Sequence, residues 1–271
     1  MKAKTPDIEE AVSKTLSSKK YRSICEETVR DVIAGELERA PDEKRAYGAM
    51  RRRLHRVWAG YLGAPDWRES AERLTEAFAA EDDRLIRAAC REILSAHQST
   101  RERLPHLERM YEDLFAVTGP PRSILDLACA VNPFSLRWMG LSCRVRYHAY
   151  DINGDAVDLI NRYFRWEGMQ PLAEHRDIVC RPPLEGADVG MLLKMYHCLE
   201  SRRRGAGWDV VEEARVRWMI VSFPTRNLAS RRADILGNYE PVLAERCAAR
   251  GWRISTVELP AEVFLLIRKG R

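Results

Sequence analysis

From the N-terminus to about residue 118, apolar positions recur at intervals of three and four, the spacing that lines up one face of an α-helix. Ala, Glu, Arg and Leu dominate this region and β-branched runs are absent, which favours helix over strand. The pattern predicts helices over 7–16, 22–39, 42–61, 66–79, 81–97 and 105–117. Pro41, residues 63–65 and Pro105 punctuate them, and Pro105 suits the first turn of its helix. Ser99 and Glu102 have capping-box spacing, but Pro105 disfavours a helical Leu104, so 98–104 is expected to be an irregular link.

After Gly119, Pro120 and Pro121 the pattern changes to short apolar runs separated by helical segments. Strands are expected at 123–127, 145–150, 172–176, 188–194, 217–223, 253–259 and 262–268, with helices at 154–167, 208–215 and 232–250. Such alternation predicts a mostly parallel sheet covered on both faces. Only Pro260 and Ala261 separate the last two strands, which leaves room for a hairpin alone, so the last strand must be antiparallel. The fold class is therefore α/β: a Rossmann-like seven-stranded sheet with an antiparallel last strand, preceded by an all-helical domain.

Composition narrows the function classes. The 271 residues are 45% hydrophobic, enough core for one large or two modest domains. With 45 Lys and Arg against 40 Asp and Glu, the net charge is +5, too mild for a nucleic-acid coat protein, so only local clustering of charge is informative. The 7 cysteines are scattered without a C-x-x-C pair, and no His stands at ligand spacing; reduced thiols and no metal are expected. The first ten residues lack an apolar signal region and no apolar run approaches ~20 residues, so a cytoplasmic protein without a membrane partner is expected.

The strand ends carry candidate chemistry. In open α/β sheets ligands sit at the carboxyl ends of the strands, where the strand order switches. The first strand ends on Asp126 and Leu127, and its turn holds the small residues Ala128 and Ala130, which let a backbone approach a ligand. Asp151, followed by Ile152, tips the second strand, where a nucleoside ribose would be held. Asp177 and Ile178 end the third, suited to an adenine amino group and ring. Singly, each acid reads as a helix cap or turn former. Three in order favour a nucleoside cofactor, and the missing G-x-G-x-x-G argues against a dinucleotide.

Several segments resemble a known family. They are His97 through Leu107, containing Ser99-Thr100-Arg101-Glu102-Arg103-Leu104-Pro105-His106, and Asp126 through Pro133. Shorter ones are Trp138-Met139-Gly140-Leu141, Leu192-Leu193-Lys194, Cys198-Leu199-Glu200 and Phe223-Pro224-Thr225. Together they resemble the aminoglycoside-resistance 16S ribosomal RNA methyltransferases, over nearly the whole chain. The resemblance implies a class I S-adenosylmethionine (SAM) fold. It implies methylation of a guanine N7 in the decoding site of 16S rRNA, within the 30S subunit, by a monomer that confers aminoglycoside resistance. It also implies that Arg103 grips the SAM carboxylate, that Asp151 binds the ribose and Asp177 the adenine, and that Lys194 and Glu200 border the target base. Because Arg103 precedes the first strand, the domains are drawn at 1–97, docking RNA, and 98–271, binding SAM. The chain departs from the family at Ala130, where relatives generally carry Gly, and at Tyr196 and His197 in the pocket wall.

Guanine N7 carries a lone pair at neutral pH, so transfer needs positioning and electrostatics but no general base. The place of an Asn-Pro-Pro-aromatic loop, which amino-nitrogen methylation would need, reads Lys194-Met195-Tyr196-His197. Cys198 lacks the preceding Pro of a C5-cytosine nucleophile and is expected to be a buried thiol. Residues 44–56 hold six Lys or Arg and no acid, with Arg45, Arg52 and Arg56 opposite an apolar helix face. A solvated surface is the ordinary reading of such a run, and the resemblance favours phosphate contact. Arg202 and Arg203 after the fourth strand, and Arg226, Arg231 and Arg232 after the fifth, are expected along the RNA path. Two alternatives stay open: a SAM enzyme for another RNA base or small molecule, and a non-catalytic RNA-binding relative.

Overall fold

The computed structural model describes residues 8–39, 43–58, 63–225 and 235–270. The chain opens with α1 (Ile8–Leu16), α2 (Glu26–Arg39) and α3 (Glu43–Trp58), followed by α4 (Trp67–Ala79) and α5 (Asp83–Ala96). Asp66 and Asp82 start α4 and α5 by accepting the first free N–H groups, the ordinary work of an N-cap carboxylate. The expected irregular link is instead a short helix, α6 (Gln98–Arg101), and then a 3₁₀ turn, Leu104–His106. The buried Thr100 ties α6 to the end of α5, its hydroxyl donating to the Leu94 carbonyl at 2.5 Å. Pro105 sits in the 3₁₀ turn, and α7 runs over Leu107–Thr118.

Next come β1 (Ser123–Leu127), a 3₁₀ segment (Asn132–Trp138), β2 (Arg146–Asp151), α8 (Gly154–Trp166), β3 (Ala173–His175) and β4 (Gly186–Leu193). They are followed by α9 (Tyr196–Arg202), α10 (Ala206–Glu213), β5 (Arg215–Pro224), α11 (Ile235–Ala248), β6 (Arg253–Leu259) and β7 (Glu262–Arg268). The periodicity did not predict α9 or the segment after β1; both are too short to establish a helical period. The strands form one sheet in the order β3-β2-β1-β4-β5-β7-β6. All neighbours are parallel except the β5–β7 and β6–β7 pairs, as the Pro260-Ala261 hairpin demands. The order reverses between β1 and β4, which locates the crevice at the carboxyl ends of those strands.

Strand alternation sends Ile124, Met191, Ile220 and Phe264 to one face of the sheet, and Leu125, Leu192, Val221 and Leu265 to the other. The first face is covered by α7 and α8, and α4 and α5 pack on α8 and the 3₁₀ segment in the same core. The domain boundary expected at residue 97 thus falls inside a continuous core. The helices α1 to α3 form a cluster of their own, built on Val12, Val29, Ile33, Leu54 and Trp58. That cluster docks on the end of β2: Cys25 N–H donates to the Ile152 carbonyl at 2.9 Å, and Gly154 N–H donates to Ser23 at 2.7 Å. The Ile152 side chain packs against the same cluster. Among the described residues no helix is long and apolar enough to cross a membrane.

Candidate active site

The turn after β1 is held in an unusual backbone conformation. Ala128 and Ala130 both have positive φ, 56° and 47°, in the left-handed region that side chains with a Cβ avoid. Asp151 at the tip of β2 holds it there, accepting Ala130 N–H at 2.8 Å on one oxygen and Asn153 N–H at 2.8 Å on the other. Strain kept in place by neighbours is a mark of functional turns. Asp126 lies behind it, accepting from Asn132 Nδ2 at 2.9 Å and the Tyr147 hydroxyl at 2.7 Å. Burial pushes the Asp126 carboxyl up to about 6, against the two hydrogen bonds and Arg103, which pull the other way. Asp126 was expected at the cofactor; it is 1% exposed and supports Asn132 beneath the turn.

Beside the turn stands a buried charge cluster. Arg103, 4% exposed, donates from Nε and Nη2 to the Glu262 carboxylate at 2.7 and 2.8 Å. Its Nη1 is 3.5 Å from Asn132 Oδ1. Burial works against the Arg103 charge, yet Glu262 more than offsets it and holds the group above its ordinary pKa. Lys194, another non-glycine with positive φ (58°), places its Nζ 2.5 Å from Glu102 and 3.5 Å from Glu262. Ser222 donates its hydroxyl to Glu262 and accepts Lys194 N–H at 2.9 Å. Burial, reinforced by the charges of Arg103, Lys194 and Arg101, pushes His97 down to about 4, so its ring is neutral near pH 7.

Asp177 has no lone pair left for an adenine amino group. Thr28 Oγ1 and Arg202 Nη1 donate to one oxygen, each at 2.6 Å, while Val179 N–H (2.9 Å) and Cys180 N–H (3.4 Å) donate to the other. Burial alone would raise its pKa; Arg202, then the Thr28 hydroxyl, hold it below the usual carboxylate range. Ile178 is buried in the core on the α10 side of the sheet. Arg202, expected along the RNA path, has a side chain 8% exposed and locked to Asp177 and Asp31. Glu200 is tied to the next helix: its carboxylate accepts Gly205 N–H (2.8 Å) and Trp208 N–H (3.2 Å), capping α10.

Arg45, Arg52 and Arg56 are exposed on α3, opposite the buried Met50, Leu54 and Trp58. Arg53 between them is tied down, bonding Glu36 at 2.5 Å and the Arg202 carbonyl at 2.8 Å. Arg203 is half-exposed and 3.2 Å from Asp209. Arg226, Arg231 and Arg232 lie outside the described residues. Cys198, expected to be buried, is exposed on α9; desolvation of its sulfur still pushes the thiol up to about 11, which keeps it protonated and a poor nucleophile. Tyr196 is buried against Phe223 and Tyr239, which explains a large aromatic at the head of α9.

The residues fit a nucleoside cofactor that carries an amino-acid tail. Ala128 and Ala130 turn the backbone left-handed after β1, Asp151 binds that turn from the tip of β2, and the Arg103 guanidinium reaches Asn132 just beyond it. The sequence left Glu262, Thr28 and the ion-pair role of Glu102 unnoticed. Glu262 carried one local signal, being an acid at the first position of a strand whose next five residues are apolar.

A family model for ribosomal RNA methyltransferases, FmrO, matches residues 17–267. A 16S rRNA (guanine(1405)-N(7))-methyltransferase of Micromonospora echinospora is 33% identical over 97% of this chain and 96% of its own length. An rRNA methylase structure from Escherichia coli superposes with a TM-score of 0.78 at 30% identity, covering 97% of this chain and 100% of that one. The 16S rRNA methyltransferase RmtF, solved in complex with S-adenosyl-L-homocysteine, gives 0.80 at 29% identity, with 97% and 98% covered.

Proposed function

As this chain belongs to the FmrO family of ribosomal RNA methyltransferases, we propose that it transfers a methyl group from SAM to N7 of a guanine in 16S rRNA. The observation that carries this reading is the joint arrangement of the left-handed Ala128–Ala130 turn, Asp151 and Arg103 around one crevice. The cofactor supplies an electrophilic methyl group on a sulfonium. The turn gives it backbone to lie on, Asp151 accepts from the ribose hydroxyls, and the Nη1 edge of Arg103 meets its carboxylate. Asp177, fully occupied by Thr28, Arg202 and backbone, and Ile178, buried in the core, take no part in holding the adenine.

The target N7 needs no deprotonation, so this chain's work is to exclude water and aim the lone pair in line with the methyl group. Lys194, held by Glu102, borders the base; Glu200 acts at one remove by fixing α10 against α9. A base in folded RNA must leave its stack to reach the crevice. The 30S subunit is the substrate, and the α1–α3 cluster with Arg45, Arg52 and Arg56 docks on rRNA phosphates. Arg203, exposed beside α10, lies on the same path. The protein acts as a cytoplasmic monomer. A methyl group and a fixed positive charge in the decoding site then confer aminoglycoside resistance.

The test is to incubate 30S subunits with the protein and SAM, cleave chemically at N7-methylguanine, and map the break by primer extension. One new stop at a decoding-site guanine is expected. Methylation elsewhere, or none, would sink this reading.

A further inference from the structure

Glu262 stands at the centre of the buried cluster, and no part of the reaction described above uses it. It is the first residue of β7, 1% exposed, and each of its oxygens has a defined task. Oε2 accepts Arg103 Nε at 2.7 Å and lies 3.5 Å from Lys194 Nζ, while Oε1 accepts Arg103 Nη2 at 2.8 Å and the Ser222 hydroxyl. A carboxylate that takes the Nε–Nη2 edge of a guanidinium fixes the plane of the group. With that edge occupied, the remaining Nη1 is directed at Asn132, at the start of the segment that follows the β1 turn. The same carboxylate is the counter-charge of a second buried cation, Lys194, whose own backbone is held left-handed by Ser222.

We propose that Glu262 is the positioning residue of the cofactor site: it aims Arg103 at the amino-acid carboxylate of the cofactor and keeps Lys194 in register beside it. This rests on the reading of Arg103 as the carboxylate ligand. Two features favour positioning over simple charge balance. Glu262 meets Arg103 through two parallel hydrogen bonds, where balance alone needs only proximity. It is also fixed from behind by Ser222, on the neighbouring strand β5, so its orientation is set by the sheet and not by the arginine.

The full-length protein carrying Glu262→Gln separates the possibilities by calorimetric titration with two ligands. S-adenosylhomocysteine has the amino-acid carboxylate, and 5′-methylthioadenosine is the same nucleoside thioether without it. Weakening of S-adenosylhomocysteine binding by about tenfold or more is expected, the size of a lost charge-assisted pair, with less than a twofold change for 5′-methylthioadenosine. Equal losses for both ligands, or no loss for either, overturn the proposal. Arg103→Ala is the reference: if it fails to abolish the preference for S-adenosylhomocysteine, the reading of Arg103 is what failed. If it abolishes the preference while Glu262→Gln does not, the inference about Glu262 is wrong. Should Glu262→Gln not fold, Glu262→Asp takes its place, since the shortened carboxylate keeps its charge but cannot span Nε and Nη2, and the same selective loss is expected.

Discussion

Asp177 and Arg202 form a buried ion pair at 2.6 Å, with side-chain exposures of 1% and 8%, between the loop after β3 and the end of α9. Thr28 of α2 donates to the same carboxylate oxygen, and Asp31 of α2 pairs with the same arginine at 2.7 Å. Two residues expected at ligand surfaces therefore join the N-terminal helices to the sheet.

Removing Arg202 leaves the Asp177 charge buried without its main partner. Arg202→Ala should destabilise the protein by about 3 kcal/mol, as breaking one side of a buried pair does. Chemical denaturation measures this. An unchanged midpoint would show that Asp177 finds another partner; the salt dependence of rRNA binding should stay as in the parent protein.

Arg52 and Arg56 should behave in the opposite way. Both are exposed on α3, so Arg52→Ala and Arg56→Ala leave stability within about 0.5 kcal/mol. Each should lower the slope of log binding constant against log salt by about one, the signature of one lost phosphate contact. Titration of rRNA at several salt concentrations gives the slope, and parallel lines for parent and variants would remove α3 from the RNA interface.

Ala130 has φ of 47°, where glycine is at ease and alanine is not. Ala130→Gly should stabilise the fold by about 1 kcal/mol, seen as a rise in Tm of roughly 2 °C. Cofactor affinity should hold or improve, because the Asp151 bond to this N–H does not depend on the side chain. A lower Tm would mean that the alanine methyl contributes packing worth more than the strain.

Asp126 gives stability an unusual pH dependence. Burial raises its folded pKa to about 6, against about 3.9 for an unfolded aspartate. Between those values the folded state binds the proton and the unfolded state does not, so stability falls as pH rises through this window. His97, depressed to about 4 by burial and nearby cations, contributes the opposite slope between 4 and about 6.5, which partly masks the effect. Asp126→Asn removes only the first contribution. Relative to the parent protein, the variant should gain stability steadily from pH 4 to 6 and stay ahead at pH 7, by at most about 3 kcal/mol. A constant difference across the range would place the Asp126 pKa near its ordinary value.

Much of the fold was legible because periodicity is a local property. The seven strands, the antiparallel hairpin at Pro260-Ala261, and the helices α1 to α5, α7 and α8 follow from apolar spacing and turn chemistry. Short elements escaped for the same reason, since four residues at 98–101 or seven at 196–202 hold too little of a helical period to register. The unit boundary escaped as well. The α4 and α5 sequences have an apolar face but carry no record of what that face packs against, and it packs on α8 and the 3₁₀ segment after β1, in one core with the sheet.

The candidate site divides along the same line. Sequence by itself determined that small residues follow β1, that acids tip β1, β2 and the loop after β3, and that Arg103 precedes the sheet. Tertiary structure alone decided what each acid is for. Asp151 holds the turn, Asp126 supports it from below, Asp177 is saturated by Thr28 and Arg202, and Glu262 joins Arg103 from 159 positions away. The physical reason is that a carboxylate has a fixed number of lone pairs, and their availability depends on donors brought by folding from distant segments. A sequence shows the acceptor; only the packed chain shows whether it is already taken.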